Sequence, residues 1–452
     1  MARLKAFWLD VVDSLWFVPA VLTLACAASA LLLVNYNDVL IGELDPTTRW
    51  WAFGGSAEGA SGVLGAIASS IITVTGVVFS VTIVALQLAS SQFTPRVLRQ
   101  FTADRANQIV LGVFIGTFTY TLLVQRTLRT ADGGEEFVPN VAVTVAVLLA
   151  LVSIGFLIFF INHAARSIQA SVIIESVTAD TLVALDKVFP ERLDEREEDD
   201  PLVDADEYTA GQPEEPFLVT SRKAGYIQEL DMAALREAAG QHQLLIRMDV
   251  EIGKYVLPND AVMSVWPPGD VNDRTAAELR GALLLGFERT PHQDLKLGVI
   301  ELMDIAVKAL SPSVNDPTTA LNAIDRLGEI LLELAWRRRG DLVELNESGR
   351  PLLITRRPQL EDTLGIAFDQ VRHYGAENPT VAIALTRLLG RLAATAPAQA
   401  TPAFIQALYE VKATAEARIT DAVDRRRYDA AADDALRIAA GENRTRIEAG
   451  GG

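Results

Sequence analysis

The chain has 452 residues, half of them hydrophobic, and its mean hydropathy of +0.23 is high for a soluble protein. The formal net charge of −18 argues against a nucleic-acid partner, because such a protein needs a basic face to offset phosphates. Its one cysteine, Cys26, excludes intramolecular disulfides and cysteine-rich metal sites. The four histidines are scattered singly and form no metal-ligand spacing.

The apolar residues are concentrated in the first 162 positions and predict four membrane spans. About 20 apolar residues cross the hydrocarbon of a bilayer. We place the spans at about 15–36, 63–88, 109–123 and 138–161, and the third is shorter than that length. The lipid bilayer is therefore the first expected partner.

The flanking Lys and Arg residues predict the orientation, because cytoplasmic loops carry an excess of them. Six lie on the side of the N-terminus and three on the other side. The two sets are Arg3, Lys5, Arg96, Arg99, Arg105 and Arg166, and Arg49, Arg126 and Arg129. This distribution predicts a multi-pass membrane protein with both termini in the cytoplasm.

The second span carries small and polar residues on one narrow face. At 100° per residue they fall within about 60° of one another. We call this set the span-two stripe; it consists of Ser69, Thr73, Gly76, Ser80, Gln87 and Ser91. Two interpretations stay open. Small residues and hydroxyls allow close helix packing, whereas polar groups inside a span also line water-filled paths.

The third span contains Gly112 and Gly116 in a GxxxG spacing, which permits a close helix crossing. The motif is short and common. Helix packing is the role that it favours.

Three segments resemble a known family. They are "SSQFTPRVLRQFTADRANQIVLGVFIGTFTYTLL" from Ser90, "NHAARSIQAS" from Asn162 and "ALSPSVNDPTTALNAIDRLG" from Ala309. Together they are similar to the bacterial membrane proteins grouped as domain of unknown function 2254. The resemblance implies an integral inner-membrane protein with a cytoplasmic C-terminal half. It brings no catalytic residue or substrate with it.

The rest of the chain divides by composition. After a transmembrane domain at 1–165 we expect a helical connector at 166–190 and an acidic linker at 191–216. The linker holds twelve carboxylates and is typical of a solvated, mobile segment. A small β-rich module at 217–268 and a helical cytoplasmic domain at 269–445 complete the predicted order.

One turn in the helical part is a candidate ligand loop. Asp316 is well placed as an N-cap before Pro317, and free amides at such a helix start can bind an anion. The candidate residues are Ser311, Asn315, Asp316, Thr318 and Thr319. A capped corner between two helices is the alternative. The nearby Glu288, Asp294, Glu301 and Asp304 form either exposed faces or a regulatory cation site.

The predicted fold class is an α-helical membrane protein with four transmembrane helices and an α+β, mainly helical, cytoplasmic C-terminal domain. The leading hypothesis for function is a channel-like or transport protein, formed by a homo-oligomer with span two lining the path. The alternative is a membrane-anchored sensor or scaffold whose cytoplasmic domain binds a ligand or partner. We expect no enzyme, cofactor or metal site, because no such motif is visible. Neither an ion nor a small-molecule ligand can be named.

Overall fold

The computed structural model describes residues 14, 16–36, 53–92, 104–129, 136–190, 192–193, 205–212, 215–338 and 340–441. The side chains of 88–92 and 205–207 lie outside the description. The chain divides into two units, Arg3–Val172 and Ile173–Gly452. We call them the span unit and the C-terminal unit, and we number helices and strands along the described chain.

The described residues of the span unit form four helices that are long and apolar enough to cross a membrane. They are α1 (Phe17–Asn35), α2 (Ala57–Gln92), α3 (Arg105–Gln125) and α4 (Asn140–Ser167). Each overlaps one predicted span. The third is longer than its apolar run predicts, because its 21 residues include polar positions at both ends. At 1.5 Å per residue it measures about 32 Å, close to the thickness of the hydrocarbon layer.

Helix α3 lies at the centre of the span unit and packs against the other three helices. In its most apolar 18 residues 61% of positions are buried, against 11, 22 and 28% in α1, α2 and α4. Two polar contacts join the middle of α3 to α4. The hydroxyls of Thr117 and Ser153 lie 3.2 Å apart, and the Tyr120 hydroxyl donates to the Ala142 carbonyl at 3.0 Å. These polar residues in the middle of α3 therefore find partners inside the bundle.

The C-terminal unit is an α+β fold, and helix α5 (Ala170–Val188) leads into it. Its remaining helices are α6 (Ala205–Ala210), α7 (Met232–His242), α8 (Asp273–Gly281), α9 (Leu295–Ala309), α10 (Pro317–Ala335), α11 (Leu360–Gly375), α12 (Pro379–Thr395), α13 (Thr401–Arg418) and α14 (Ala422–Ala439). Its strands are β1 (Phe217–Thr220), β2 (Gly225–Leu230), β3 (Leu245–Met248), β4 (Tyr255–Val256), β5 (Ala261–Trp266), β6 (Leu283–Gly286), β7 (Leu342–Leu345) and β8 (Pro351–Thr355).

The strands form two sheets. The larger has the order β1-β5-β3-β8-β7, and the smaller has the order β4-β2-β6. All pairs are antiparallel except β3 with β8, where Ile246 lies opposite Leu353. Val219, Ile246, Met263 and Leu353 meet in the buried core between the sheets and helices α7 and α8.

Three strands lie in the stretch that the sequence assigns to a helical domain. Strand β6 pairs with β2 and strand β8 with β3 of the predicted β-rich module, and β7 extends the larger sheet by pairing with β8. Each has only four or five residues and lacks a clear alternation of apolar and polar positions. Because such short apolar runs have no diagnostic period, the pairing partners, supplied from far along the chain, decide their conformation.

Parts of the acidic linker are packed in the C-terminal unit. Leu193 is buried, and its amide donates to the Trp336 carbonyl at 2.8 Å. The ring of Tyr208 in helix α6 packs against Trp266 and Ile354 of the larger sheet. Residues 191, 194–204 and 213–214 of the linker lie outside the described residues.

Candidate functional site

The span-two stripe lies on the exposed side of α2. Ser69, Thr73, Gly76, Ser80 and Gln87 are all exposed, and the side chain of Ser91 lies outside the described residues. The buried positions of α2 are Ala57, Ala60, Leu64, Ala68, Ile71, Val78, Thr82 and Ala85. On the same angular scale they centre about 200° from Ser69. The stripe therefore faces directly away from the helices that α2 contacts in its own chain.

The hydroxyls of the stripe differ in their partners. Ser69 donates to the Ala66 carbonyl at 3.1 Å, and Thr73 donates to the Ser69 carbonyl at 2.8 Å. Such bonds to the preceding turn satisfy a hydroxyl without help from another helix. The Ser80 hydroxyl and the Gln87 amide form no hydrogen bond with any part of the chain that the structure describes.

Gly112 and Gly116 lie on the face of α3 that meets α1. A Cβ added at Gly112 would lie 2.6 Å from Leu22 Cδ1, and one at Gly116 would lie 2.8 Å from Cys26 Sγ. Such distances are too short for carbon and sulfur atoms in contact. The two glycines let α1 and α3 approach closely.

A polar contact that the sequence analysis missed lies where α3 begins. The Asp104 carboxylate accepts from the Ala106 amide at 2.9 Å and so caps α3, and its other oxygen lies 2.5 Å from His163 Nε2 on α4. The His163 ring stacks on Phe159 with centroids 5.5 Å apart. Asp104 before an apolar helix is a recognisable capping signal, but nothing in the sequence pairs it with a histidine 59 positions later.

The candidate loop at 311–319 uses its polar groups internally. The Asp316 carboxylate accepts from the Thr319 hydroxyl at 2.6 Å and from the Thr319 amide at 3.1 Å. These bonds lower the pKa of Asp316 from its ordinary value. Ser311 donates to the Lys308 carbonyl, Asn315 has a positive φ of 47°, and Thr318 is exposed. These contacts are those of a capped helix–turn–helix corner.

A charged cleft of about 280 Å³ lies elsewhere in the C-terminal unit. Its walls are formed by Asp249, Glu251, Ile252, Gly253, Lys254, Arg289, Lys296 and Arg356. Each carboxylate at the cleft touches a cation. Asp249 binds Arg247 at 2.9 Å, Glu251 binds Lys296 at 2.6 Å, and the buried Asp294 next to the cleft binds Arg289 through two bonds of 2.6 and 2.7 Å.

Gly253 places the backbone directly on the Arg289–Asp294 pair. A Cβ at this position would overlap the Asp294 carboxylate, and its φ of +82° is one that other residues rarely adopt. Asp294 also caps α9 by accepting from the Leu297 amide at 3.1 Å. The Asp294 carboxylate is therefore fixed by the Arg289 guanidinium and by the Leu297 amide at the start of α9. Among the described residues, no group of three or more His, Cys, Asp or Glu could hold a metal ion.

A second cavity of about 80 Å³ adjoins the cleft and shares Ile252 and Arg356 with it. Most of its other walls are apolar, including Leu230, Met232, Leu295, Leu342 and Pro358. Its polar walls include Thr355, which is 8% exposed and whose hydroxyl has no hydrogen-bond partner among the described residues. The guanidinium of Arg357, 4% exposed, lies 5.1 Å from the ring centre of Phe189. No sequence motif signals these cavities, because their residues come from segments more than 100 positions apart.

Four apolar helices and a C-terminal α+β region define the class of the molecule, a mostly helical membrane protein. The family model described as "Predicted membrane protein (DUF2254)" matches residues 12–391. The chain belongs to this family, and the resemblance drawn from its three sequence segments is confirmed.

Similar proteins occur in mycobacteria. An uncharacterized protein of Mycobacterium bovis and one of Mycobacterium tuberculosis are each 35% identical to this chain over 347 residues. The match covers 75% of this chain and 65% of each relative, so the chain spans less than two thirds of their length. No solved structure matches the chain.

Proposed function

We propose that the protein is a homo-oligomeric, channel-like or transport protein of the inner membrane, with α2 lining the path. The observation that carries the proposal is the position of the span-two stripe. Its described residues are exposed on the side of α2 opposite to the face that packs against α3 and α4. Packing among the described helices of one chain therefore does not account for the stripe.

Ser80 is the most informative member of the stripe. Gln125 at the end of α3 lies 3.5 Å from Ser61 of α2, and the two helices run in opposite directions. Because the two helices are antiparallel, the residue about 20 positions after Ser61 on α2 lies beside the first turn of α3. Ser80 therefore lies alongside α3. Gln87, seven positions further along α2, lies past the start of α3. A hydroxyl without a partner is costly in hydrocarbon. Water in a path, or a second copy of α2, would satisfy Ser80.

An oligomer follows from the small size of the span unit. Three helices around a buried α3 present one stripe outward, so a path lined by the stripe needs several copies around an axis. Each copy would contribute one α2. The apolar sides of the same helix, which include Ile72, Val77, Phe79 and Val84, would then face lipid or the neighbouring copy.

Cysteine labelling tests the path with matched positions. In a Cys26→Ala background, single cysteines replace Ser69, Thr73 or Ser80 on the stripe, and Val77 or Phe79 beside it. Val77 and Phe79 are 57 and 52% exposed in the single chain, so exposure alone does not distinguish them from the stripe. A water path predicts that a small polar thiol reagent modifies the three stripe cysteines and spares the two controls. Protection of all five positions would refute it.

The Ser80→Leu variant separates a path from a dry contact between copies. In a path, leucine narrows or dewets the lumen and leaves the oligomer intact. In a dry contact it overpacks the interface by about 1–3 kcal/mol, so the variant oligomer dissociates already at a higher protein concentration than the wild type does. Light scattering of the protein in nanodiscs measures the mass of both forms, with Val77→Leu as the control beside the stripe.

The proposal includes both termini in the cytoplasm, which the excess of Lys and Arg on that side supports. A membrane-impermeant thiol reagent applied to intact spheroplasts should label a cysteine at position 131, between α3 and α4, and should not label one at position 449. Labelling only at 449 would reverse the orientation and place the C-terminal unit outside.

A membrane-anchored sensor is the second candidate function. Two adjoining cavities in the C-terminal unit, one charged and one mostly apolar, favour it. Uniform protection of the stripe cysteines together with saturable ligand binding in these cavities would place the sensor ahead of the channel.

A further inference from the structure

We infer that the two adjoining cavities of the C-terminal unit form one binding site for a small organic phosphate monoester. The phosphate group would bind where the cavities meet, at Arg356, and the organic group would enter the smaller cavity. This inference does not depend on whether the span-two stripe lines a water-filled path.

The charge of the larger cleft favours an anion. Its walls carry two carboxylates and four cations, although the whole chain has a net charge of −18. The carboxylates Asp249 and Glu251 are each held by a cation, and Arg289 is committed to Asp294. The side chains of Lys254 and Arg356 form no hydrogen bond or ion pair with the residues that the structure describes. Two positive charges thus remain for a ligand.

A phosphate monoester matches this excess. Near neutral pH it carries about −1.5 to −2 charges and three acceptor oxygens. Guanidinium groups bind such oxygens through paired, charge-assisted hydrogen bonds. Arg356 is the residue common to both cavities and is exposed, so its guanidinium is free to reorient toward the ligand.

The smaller cavity provides a second, independent observation. The Thr355 hydroxyl is buried in its wall without a hydrogen-bond partner among the described residues. Buried polar groups in folded proteins are nearly always hydrogen-bonded, so an unpaired one needs an explanation. Because Thr355 and Arg356 both line the smaller cavity, a phosphate oxygen bound at Arg356 would accept from this hydroxyl. The aliphatic walls beyond it fit a small apolar group.

Titration calorimetry on the full chain in nanodiscs tests the site with phenyl phosphate, phenyl sulfate and inorganic phosphate. Phenyl phosphate should bind saturably and tightest of the three. Phenyl sulfate has the same shape but one charge, and inorganic phosphate lacks the ring, so both should bind about tenfold more weakly. Absence of saturable phenyl phosphate binding would overturn the inference. If phenyl sulfate binds as tightly as phenyl phosphate, the site does not prefer a dianion, and the inference of a phosphate monoester is wrong.

Three variants locate the binding. Arg356→Gln should weaken phenyl phosphate binding about tenfold, and Thr355→Val about fivefold. Arg350→Gln changes an exposed arginine outside both cavity walls and should leave the affinity within about twofold. Equal loss in Arg356→Gln and Arg350→Gln would mean that the anion binds to general surface charge. The result of the cysteine labelling of α2 does not depend on these binding experiments, so each proposal can be refuted without the other.

Discussion

The span unit and the C-terminal unit satisfy their polar groups in different ways. In the span helices the hydroxyls of Thr23, Thr75, Thr82 and Ser153 donate to carbonyls four positions earlier in the same helix. In the C-terminal unit, ion pairs join residues from different elements, such as Arg236 with Glu344 and Arg337 with Asp186. A helix that satisfies its own polar groups needs no water, whereas charged pairs keep one partner in contact with solvent.

The two units also differ in what fixes their packing. At the α1–α3 contact, Gly112 and Gly116 set the distance between the helices, because there is no room for a Cβ. At the charged cleft, Gly253 and the Arg289–Asp294 pair fix a loop against the start of α9. The span unit should therefore be most sensitive to added volume, and the C-terminal unit to a removed charge.

The largest expected effect is at the buried ion pair of the C-terminal unit. In the pair Arg289–Asp294 the side chains are 21 and 2% exposed. Arg289→Ala leaves the Asp294 carboxylate buried without its cation and should lower the free energy of unfolding by about 3–5 kcal/mol. Urea unfolding of the purified chain, followed by near-UV circular dichroism, measures it.

The pair Arg326–Glu329 provides the matched control. Its side chains are 45 and 43% exposed, and the residues lie three positions apart on α10. Arg326→Ala should cost no more than about 1 kcal/mol. A similar decrease in the free energy of unfolding for both variants would mean that burial does not distinguish the two pairs. The expected sensitivity of the C-terminal unit to a removed buried charge would then be wrong.

A smaller effect is expected from added volume in the span unit. Gly116→Leu places a side chain where Cys26 already lies and should destabilise the bundle by about 1–3 kcal/mol. Gly155→Leu on α4 is the control, because a Cβ there has no neighbour within 4 Å. Thermal unfolding in detergent should separate the variants. A bundle that tolerates leucine at both positions would contradict the close α1–α3 contact.

The smallest effect is a pH dependence at the start of α10. Hydrogen bonds from Thr319 lower the pKa of Asp316 in the folded protein. The resulting stabilisation is complete above the ordinary pKa of aspartate, about 4, and is lost as pH falls through the lower folded pKa. The difference in Tm between the wild type and Asp316→Asn should therefore shrink between about pH 5 and pH 3.

The Thr319→Val variant provides the check on this mechanism. It removes the hydroxyl that donates to Asp316 at 2.6 Å, so the pKa of Asp316 should rise toward its ordinary value. In this background the Asp316→Asn substitution should change Tm with a weaker pH dependence. An unchanged profile would show that Thr319 is not the cause.

The sequence by itself determined the features that depend on neighbouring residues. Apolar runs of sufficient length predicted four spans, and a polar residue before Pro317 predicted the helix start that Asp316 caps. The angular position of the span-two stripe follows from helical geometry alone. The three family segments, read together, also predicted the family.

Only the tertiary structure decided which surfaces meet. It placed α3 rather than α2 at the centre of the span unit and turned the stripe away from it. It recruited β6, β7 and β8 into sheets begun more than 50 positions earlier, and it brought Glu251, Arg289 and Arg356 to one cleft. Hydropathy and helical period report the environment of a residue along its own element. They do not identify the residue on the other side of a contact, because packing between distant segments of the chain selects that residue.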